Sequence, residues 1–295
     1  MNLYCDRPKN DFKGGLRRLR TYTRSVSCVA GALVLIAAGF MCQSPAQGQA
    51  RLSLSATASE RSTPLAQPIK WGKPTWADTF NGAKLNPKRW SVYNDPTGKY
   101  SGWRRTPQSV RVHNGALEII GHYQRPYGYV GGGLSYNYNQ TYGRWSVRFR
   151  VDSGAGWEPV ILLWPAGTWP NDGEIDMAEV HSASRRGGSE FLHLGKNNRF
   201  IGHPFPKATN FTQWHILAVD WLRDHITFWL DGRPIWTVRR GKGDSDYVPS
   251  TPFHLAMQND EGCADHKCNP RKSTHQKVIM KIDWVRIWAA PSGAR

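Results

Sequence analysis

Three carboxylates fall within six residues of the stretch "GEIDMAEV": Glu174, Asp176 and Glu179. Ile175, Met177, Ala178 and Val180 lie between and after them, so the segment has the composition of an interior strand. Charged side chains are seldom buried without a chemical reason. Side chains of a strand alternate between faces. Glu174 and Asp176 therefore share a face, while Glu179 falls on the other. One β-bulge at Met177-Ala178 would insert the extra residue that brings Glu179 back. Glu174 and Glu179 would then act as residues four apart, about 13 Å along the strand, and inward-leaning side chains would close that gap to several ångströms.

Two carboxyl groups about 5–5.5 Å apart are the apparatus of glycosidic-bond cleavage with retention of configuration. One attacks the anomeric carbon. The other donates a proton to the leaving oxygen and later accepts one from water. A third acid between them couples their titrations and discourages all three from ionising together. A solvated outer strand would also carry three acids. The neighbourhood argues against it: Ile161-Leu162-Leu163 precedes the motif, and Trp157, Trp164 and Trp169 fall within thirteen positions. Indole faces stack well on sugar rings, although some of the 14 Trp must serve core packing.

The elements expected to hold these groups are strands. "RWSVRFRV" alternates Trp145, Val147, Phe149 and Val151 with polar residues. Asp231-Gly232 and Asn114-Gly115 each separate two strand-like runs, a strong hairpin signal. "KVIMKIDWVRIW" is β-branched and aromatic, and Gly131-Gly132-Gly133 marks a bend, a bulge or a close approach of backbone. No stretch carries a convincing helical stripe. The expected fold class is all-β, a two-sheet antiparallel sandwich over residues 71–290, with residues 291–295 as a tail.

The chain has 295 residues and a formal net charge of +17. Residues 1–50 hold seven Lys/Arg against two Asp, which is +5 of that total and leaves +12 on the rest. A basic stretch ending at Arg24, the apolar run Val26–Met41 and the small residues that follow form a secretory signal-peptide pattern. An uncleaved anchor is the alternative. Residues 51–70 are Ser/Thr/Ala/Pro-rich and read as a linker. The expected location is secreted or cell-envelope associated, with no stable membrane insertion once the leader is gone, and the expected state is a monomer. The basic balance attracts polyanions, but no nucleic-acid motif accompanies it. Cys263 and Cys268 are the two cysteines after the leader and suggest a local disulfide in an exported protein. His266 between them would supply a third metal ligand, one short of a closed zinc site. "GLSYN" at 133–137 misses a nucleophile elbow at its last position.

The bulged Glu174-Ile-Asp176-Met-Ala-Glu179, preceded by Trp169-Pro170 and Gly173, resembles the signature of glycoside hydrolase family 16, the laminarinase–lichenase group. "WADTFNG" (76–82), "YGRWSVRFR" (142–150), "WHILAVDWLRDHITFWLDG" (214–232) and "KIDWVRIW" (281–288) resemble further strands of that family, in order. The resemblance implies a β-jelly-roll with a polysaccharide cleft and an endo-acting hydrolase of β-1,3- or mixed β-1,3/1,4-glucan. A transglycosylase or a noncatalytic glycan-binding jelly roll are the alternatives on the same fold. It further implies Glu174 as nucleophile, Glu179 as acid/base and Asp176 as their tuner. Trp169, Trp164, Arg144 and His193 would contact substrate. No cofactor is implied for catalysis; a structural calcium is, with Asp283 as a contributor. The sequence departs from the family at "GWEPVILLWPAG", where Trp-Pro-Ala-Phe-Trp is common, and around Cys263–Cys268.

Overall fold

The structure is a computed structural model that describes residues 69–195, 197–241, 248–262 and 277–294. The leader, all but the last two residues of the 51–70 linker, and Cys263 and Cys268 lie outside the described residues. No α-helix occurs among those described; the regular elements are strands and two short 3-10 turns, and no helix is long and apolar enough to cross a membrane.

Two antiparallel sheets face each other. Seven strands make the one that carries the acids. They are β2 (Trp90–Val92), β6 (Gly132–Tyr136), β8 (Trp157–Pro165), β9 (Glu174–Glu179), β10 (Ser189–Leu194), β11 (Arg199–Pro204) and β15 (Phe253–Glu261). Their spatial order is β11-β10-β9-β8-β15-β6-β2, which places β9 between β8 and β10. The nine-stranded sheet has β14 (Arg233–Arg239), β13 (His225–Leu230), β12 (His215–Trp221), β7 (Gly143–Val151), β16 (Lys277–Ala289), β4 (Ala116–Gln124) and β3 (Val110–His113) in that order. The short β1 (Trp76–Asp78) pairs with β16, and β5 (Gly128–Val130) with β4.

The turn chemistry follows from the sequence. Asn114-Gly115 and Asp231-Gly232 both take positive φ at both positions, as a tight two-residue hairpin demands. They join β3 to β4 and β13 to β14. The glycine run is a close approach of backbone: a Cβ on Gly131 would lie 2.1 Å from the Asn259 carbonyl oxygen. Between the sheets, Trp145, Val147 and Phe149 of β7 meet Trp157, Ile161 and Leu163 of β8 in one continuous apolar core. Trp157 is fully buried there, so of the three clustered tryptophans it is the core-packing one.

Candidate active site

The strand β9 is flanked on both sides, and both neighbours measure its irregularity. On β8, Leu162 pairs with Asp176 and Ile161 with Ala178. On β10, Phe191 pairs with Asp176 and Ser189 with Glu179. Each neighbour advances two residues where β9 advances three between Asp176 and Glu179, so Met177-Ala178 contains the bulge. Its effect on the faces is direct. Ile175, Met177 and Ala178 all join the core between the sheets. Glu174, Asp176 and Glu179 are left together on the opposite face, 1%, 0% and 7% exposed. Gly173 just ahead of them has φ 85°, and a Cβ there would meet the His193 carbonyl oxygen at 2.9 Å. Glycine is what lets the chain enter β9 at this angle.

Each acid has a distinct partner. Trp169 Nε1 donates to Glu174 Oε2 at 2.7 Å, which fixes one carboxylate oxygen. Trp164 stacks on Trp169 with ring centroids 5.8 Å apart and planes 14° from parallel. His193, directly across from Glu174 on β10, puts Nε2 3.2 Å from Asp176 Oδ2. The other ring nitrogen, Nδ1, is 2.9 Å from Asn198 Oδ1. Burial pulls the His193 pKa down. The hydrogen bond and charge of Asp176, the charge of Glu174 and the Asn198 contact more than reverse that, to about 9. His193 is therefore imidazolium at neutral pH, with an N–H for each acceptor.

Beside Glu179 lies a pair that the sequence did not single out. Glu158 of β8 is 6% exposed, and its Oε1 is 3.0 Å from His181 Nδ1. One polar atom from each of Glu158, Glu179 and His181 lies within 4.8 Å of the other two. The strand period places Glu158 on the same face as Leu162 and Trp164. A groove runs on from Trp164, lined by Ser101, Trp103, Arg105, Leu162, Ala256 and Gln258. Arg105 sits in it with both forks on Asp260 at 2.7 Å and Nη2 on Gln258 Oε1 at 2.9 Å. It is 155 positions from Asp260 in sequence, a separation at which no local pattern announces a pair.

The site thus gathers Glu174, Asp176, Glu179, Trp169, Trp164 and His193. Arg144 does not join them. It lies on β7 of the other sheet, where Trp145 turns inward and Arg144 outward. There it pairs with Asp220 at 3.1 Å and lies over Trp229. Burial raises Asp220 to about 6, the Arg144 charge opposing it. Arg144 therefore lies on the outer face of the other sheet, and the structure does not bring it together with the acids as expected for a substrate-contacting residue.

The metal expectation meets a similar obstacle. The Asp283 carboxylate is taken by the Arg148 guanidinium, and the adjacent Trp284 ring carries Arg286. This cationic setting does not fit a calcium ion. The Glu174–Asp176–His193 group has ligand-like spacing, but His193 would first have to give up the proton that its acidic neighbours hold.

An all-β sandwich with a bulged strand of buried acids and stacked tryptophans defines a carbohydrate-active class of site. The family model for Glycosyl hydrolases family 16 matches residues 98–286, and the chain belongs to that family. It is 24% identical over 266 residues to the glucan endo-1,3-beta-glucosidase A1 of Niallia circulans, covering 77% of this chain but 39% of that protein's length. It is 27% identical over 255 residues to a beta-glucanase of Rhodothermus marinus, covering 72% of this chain and 84% of that one. Its fold matches the catalytic domain of an endo-1,3-beta-glucanase (laminarinase) from Thermotoga petrophila RKU-1. That match has TM-score 0.65 at 21% identity and covers 75% of this chain and 98% of the other.

Proposed function

We propose that the protein is an exported, endo-acting hydrolase of β-1,3- or mixed β-1,3/1,4-glucan, working by retaining double displacement. The observation that carries this reading is the bulge at Met177-Ala178, which leaves three buried carboxylates on one face beside stacked tryptophans. The β-glucan substrate class is supported by the two relatives, a glucan endo-1,3-beta-glucosidase and a beta-glucanase. Export is supported by the leader pattern.

In this reading the Glu174 carboxylate attacks the anomeric carbon. The bond to the leaving oxygen breaks, and Glu179 supplies that oxygen with its proton. Glu179, now a carboxylate, takes a proton from water, whose oxygen displaces Glu174 and frees the sugar. Trp169 holds Glu174 in line through its Nε1–H. Asp176, paired with the charged His193, sets the field between the two glutamates. Trp164 and Trp169 offer indole surface to sugar rings.

The test is product release from laminarin, mixed-linkage β-glucan, xyloglucan, agarose, carrageenan and an acidic exopolysaccharide. Cleavage of a β-glucan is expected. Glu179→Gln should lower kcat by about 10²–10⁴-fold, the usual worth of a general acid–base group, and Glu174→Gln by at least as much. Binding of glycan by all three forms without cleavage by any would replace the hydrolase with a binding module.

A further inference from the structure

The outer face of the nine-stranded sheet, across the core from the acids, carries a row of charged side chains that ends at a tryptophan. Its strands line up Arg111, Glu118, Lys281 and Arg150 in one cross-strand row, each directly opposite the next. Trp214 stands just before β12 at the end of that row. Glu118, 2% exposed, already serves Arg111 at 2.7 Å, Lys281 at 3.1 Å and His113 at 3.7 Å. Arg150 takes no share of it. Instead its guanidinium lies 5.5 Å from the Trp214 ring centroid, and that of Arg148 lies 4.7 Å from the same ring.

Arginine on tryptophan also merely covers a solvent-facing sheet, and Arg286 over Trp284 is an example on this face. That account leaves one thing unexplained. Lys281 and Arg150 stand directly opposite across an antiparallel pair, and the row holds three cations, Arg111, Lys281 and Arg150, against the one carboxylate of Glu118, which reaches Arg111 and Lys281. Lys281 and Arg150 flank a groove of about 330 Å³, whose other walls are His113, Asn114, Ala116, Thr212, Gln213 and Trp214.

We infer that this groove binds an anionic polysaccharide. An acidic group on a sugar sits between Arg150 and Lys281 and offsets the row's excess of cations. Asn114, Thr212 and Gln213 meet neighbouring hydroxyls. Trp214 holds the arginine in place beforehand, so less rotamer freedom is lost on binding. The inference rests on the glycan-active reading above, and it gives the +12 charge outside the leader a ligand. The groove and the acids lie on opposite faces of the sandwich, so a long chain held here stays tethered while another segment is cut.

The experiment uses the full chain carrying Glu174→Gln, so that no probe is consumed. Affinity electrophoresis through carboxymethylated β-1,3-glucan, unsubstituted β-1,3-glucan and duplex DNA is compared with the same chain bearing Arg150→Gln or Lys281→Gln. Arg233→Gln, an equal charge change at an exposed position on the remote edge strand β14, is the control. Arg150 is the preferred variant because, among the described residues, it makes no ion pair that folding would miss. We expect at least fivefold weaker binding to the carboxymethylated glucan with Arg150→Gln, no change with Arg233→Gln, and little retardation by the neutral glucan. Equal losses in all variants would reduce the effect to net charge and overturn the inference. Tighter binding of DNA, lost in the same variants, would overturn it in favour of a nucleic-acid groove. In chains retaining Glu174, hydrolysis of a short neutral oligosaccharide should be unaltered by Arg150→Gln. Hydrolysis without groove binding would sink this inference alone; groove binding without hydrolysis of any glycan would sink the catalytic reading alone.

Discussion

His193 and Trp169 show how single residues tune the buried acids. The His193 pKa is raised to about 9 because Asp176 and Glu174 surround it. A histidine whose folded pKa exceeds its unfolded value adds stability that is complete below about 6.5 and is lost as pH rises through 9. We predict that activity and unfolding midpoint both fall over pH 7–9, and that His193→Gln flattens the stability part in a thermal series. Trp169→Phe keeps the ring and removes the Nε1–H donor. A hydrogen bond to a charged group is worth about 1.5–3 kcal/mol, so kcat should drop roughly 10–100-fold with a smaller change in KM.

The bulged strand is the element on which the site depends. Both neighbours step by two where β9 steps by three. Deleting Ala178 therefore gives a regular Glu-Ile-Asp-Met-Glu strand with its three acids still on one face and Met177 still in the core. We predict that this deletion folds and keeps measurable hydrolysis, whereas deleting Ile175 separates Glu174 from the other acids and abolishes it. Steady-state kinetics on both deletions checks the point. This register was readable in advance, because period-two alternation and odd spacing are local properties of the sequence. The same holds for the Asn114-Gly115 and Asp231-Gly232 hairpins and for the two faces of β7. The side of the molecule on which a polar face ends was not readable. Alternation put Arg144 opposite Trp145 but could not say which sheet β7 would join. Nor could it pair Arg105 with Asp260, or bring Glu158 beside His181, since those meetings are made by the order of strands in the sheet. A glutamate at the fourth position of "GGSEFLHL" looks like any polar strand residue; only the structure puts Glu190 on the core side with Leu192 and Leu194.

At the scale of the whole molecule, buried ionisable groups set a pH window for stability. Burial raises Glu190 to about 9, so its unfolded form ionises first and stability falls as pH rises from about 4.5 towards 9. His193 adds to the fall above 6.5. His254, on β15 opposite Trp164, is held by burial at about 4, so stability also falls as pH drops from 6.5 towards 4. The unfolding midpoint should therefore peak in mildly acidic solution. Glu190→Gln removes the ionisation and keeps the shape; it should stabilise by roughly 2–3 kcal/mol at pH 7 and flatten the alkaline side of the curve. A melting series over pH 4–10 reads both. The central claim, that Glu174 and Glu179 work as nucleophile and acid/base, is tested most directly by the anomer first released. Proton NMR of fresh laminarin digests, followed from the first minute, should show the β anomer appearing first and mutarotating to α. Initial α product would contradict the double displacement and the pairing of the two glutamates on which it rests.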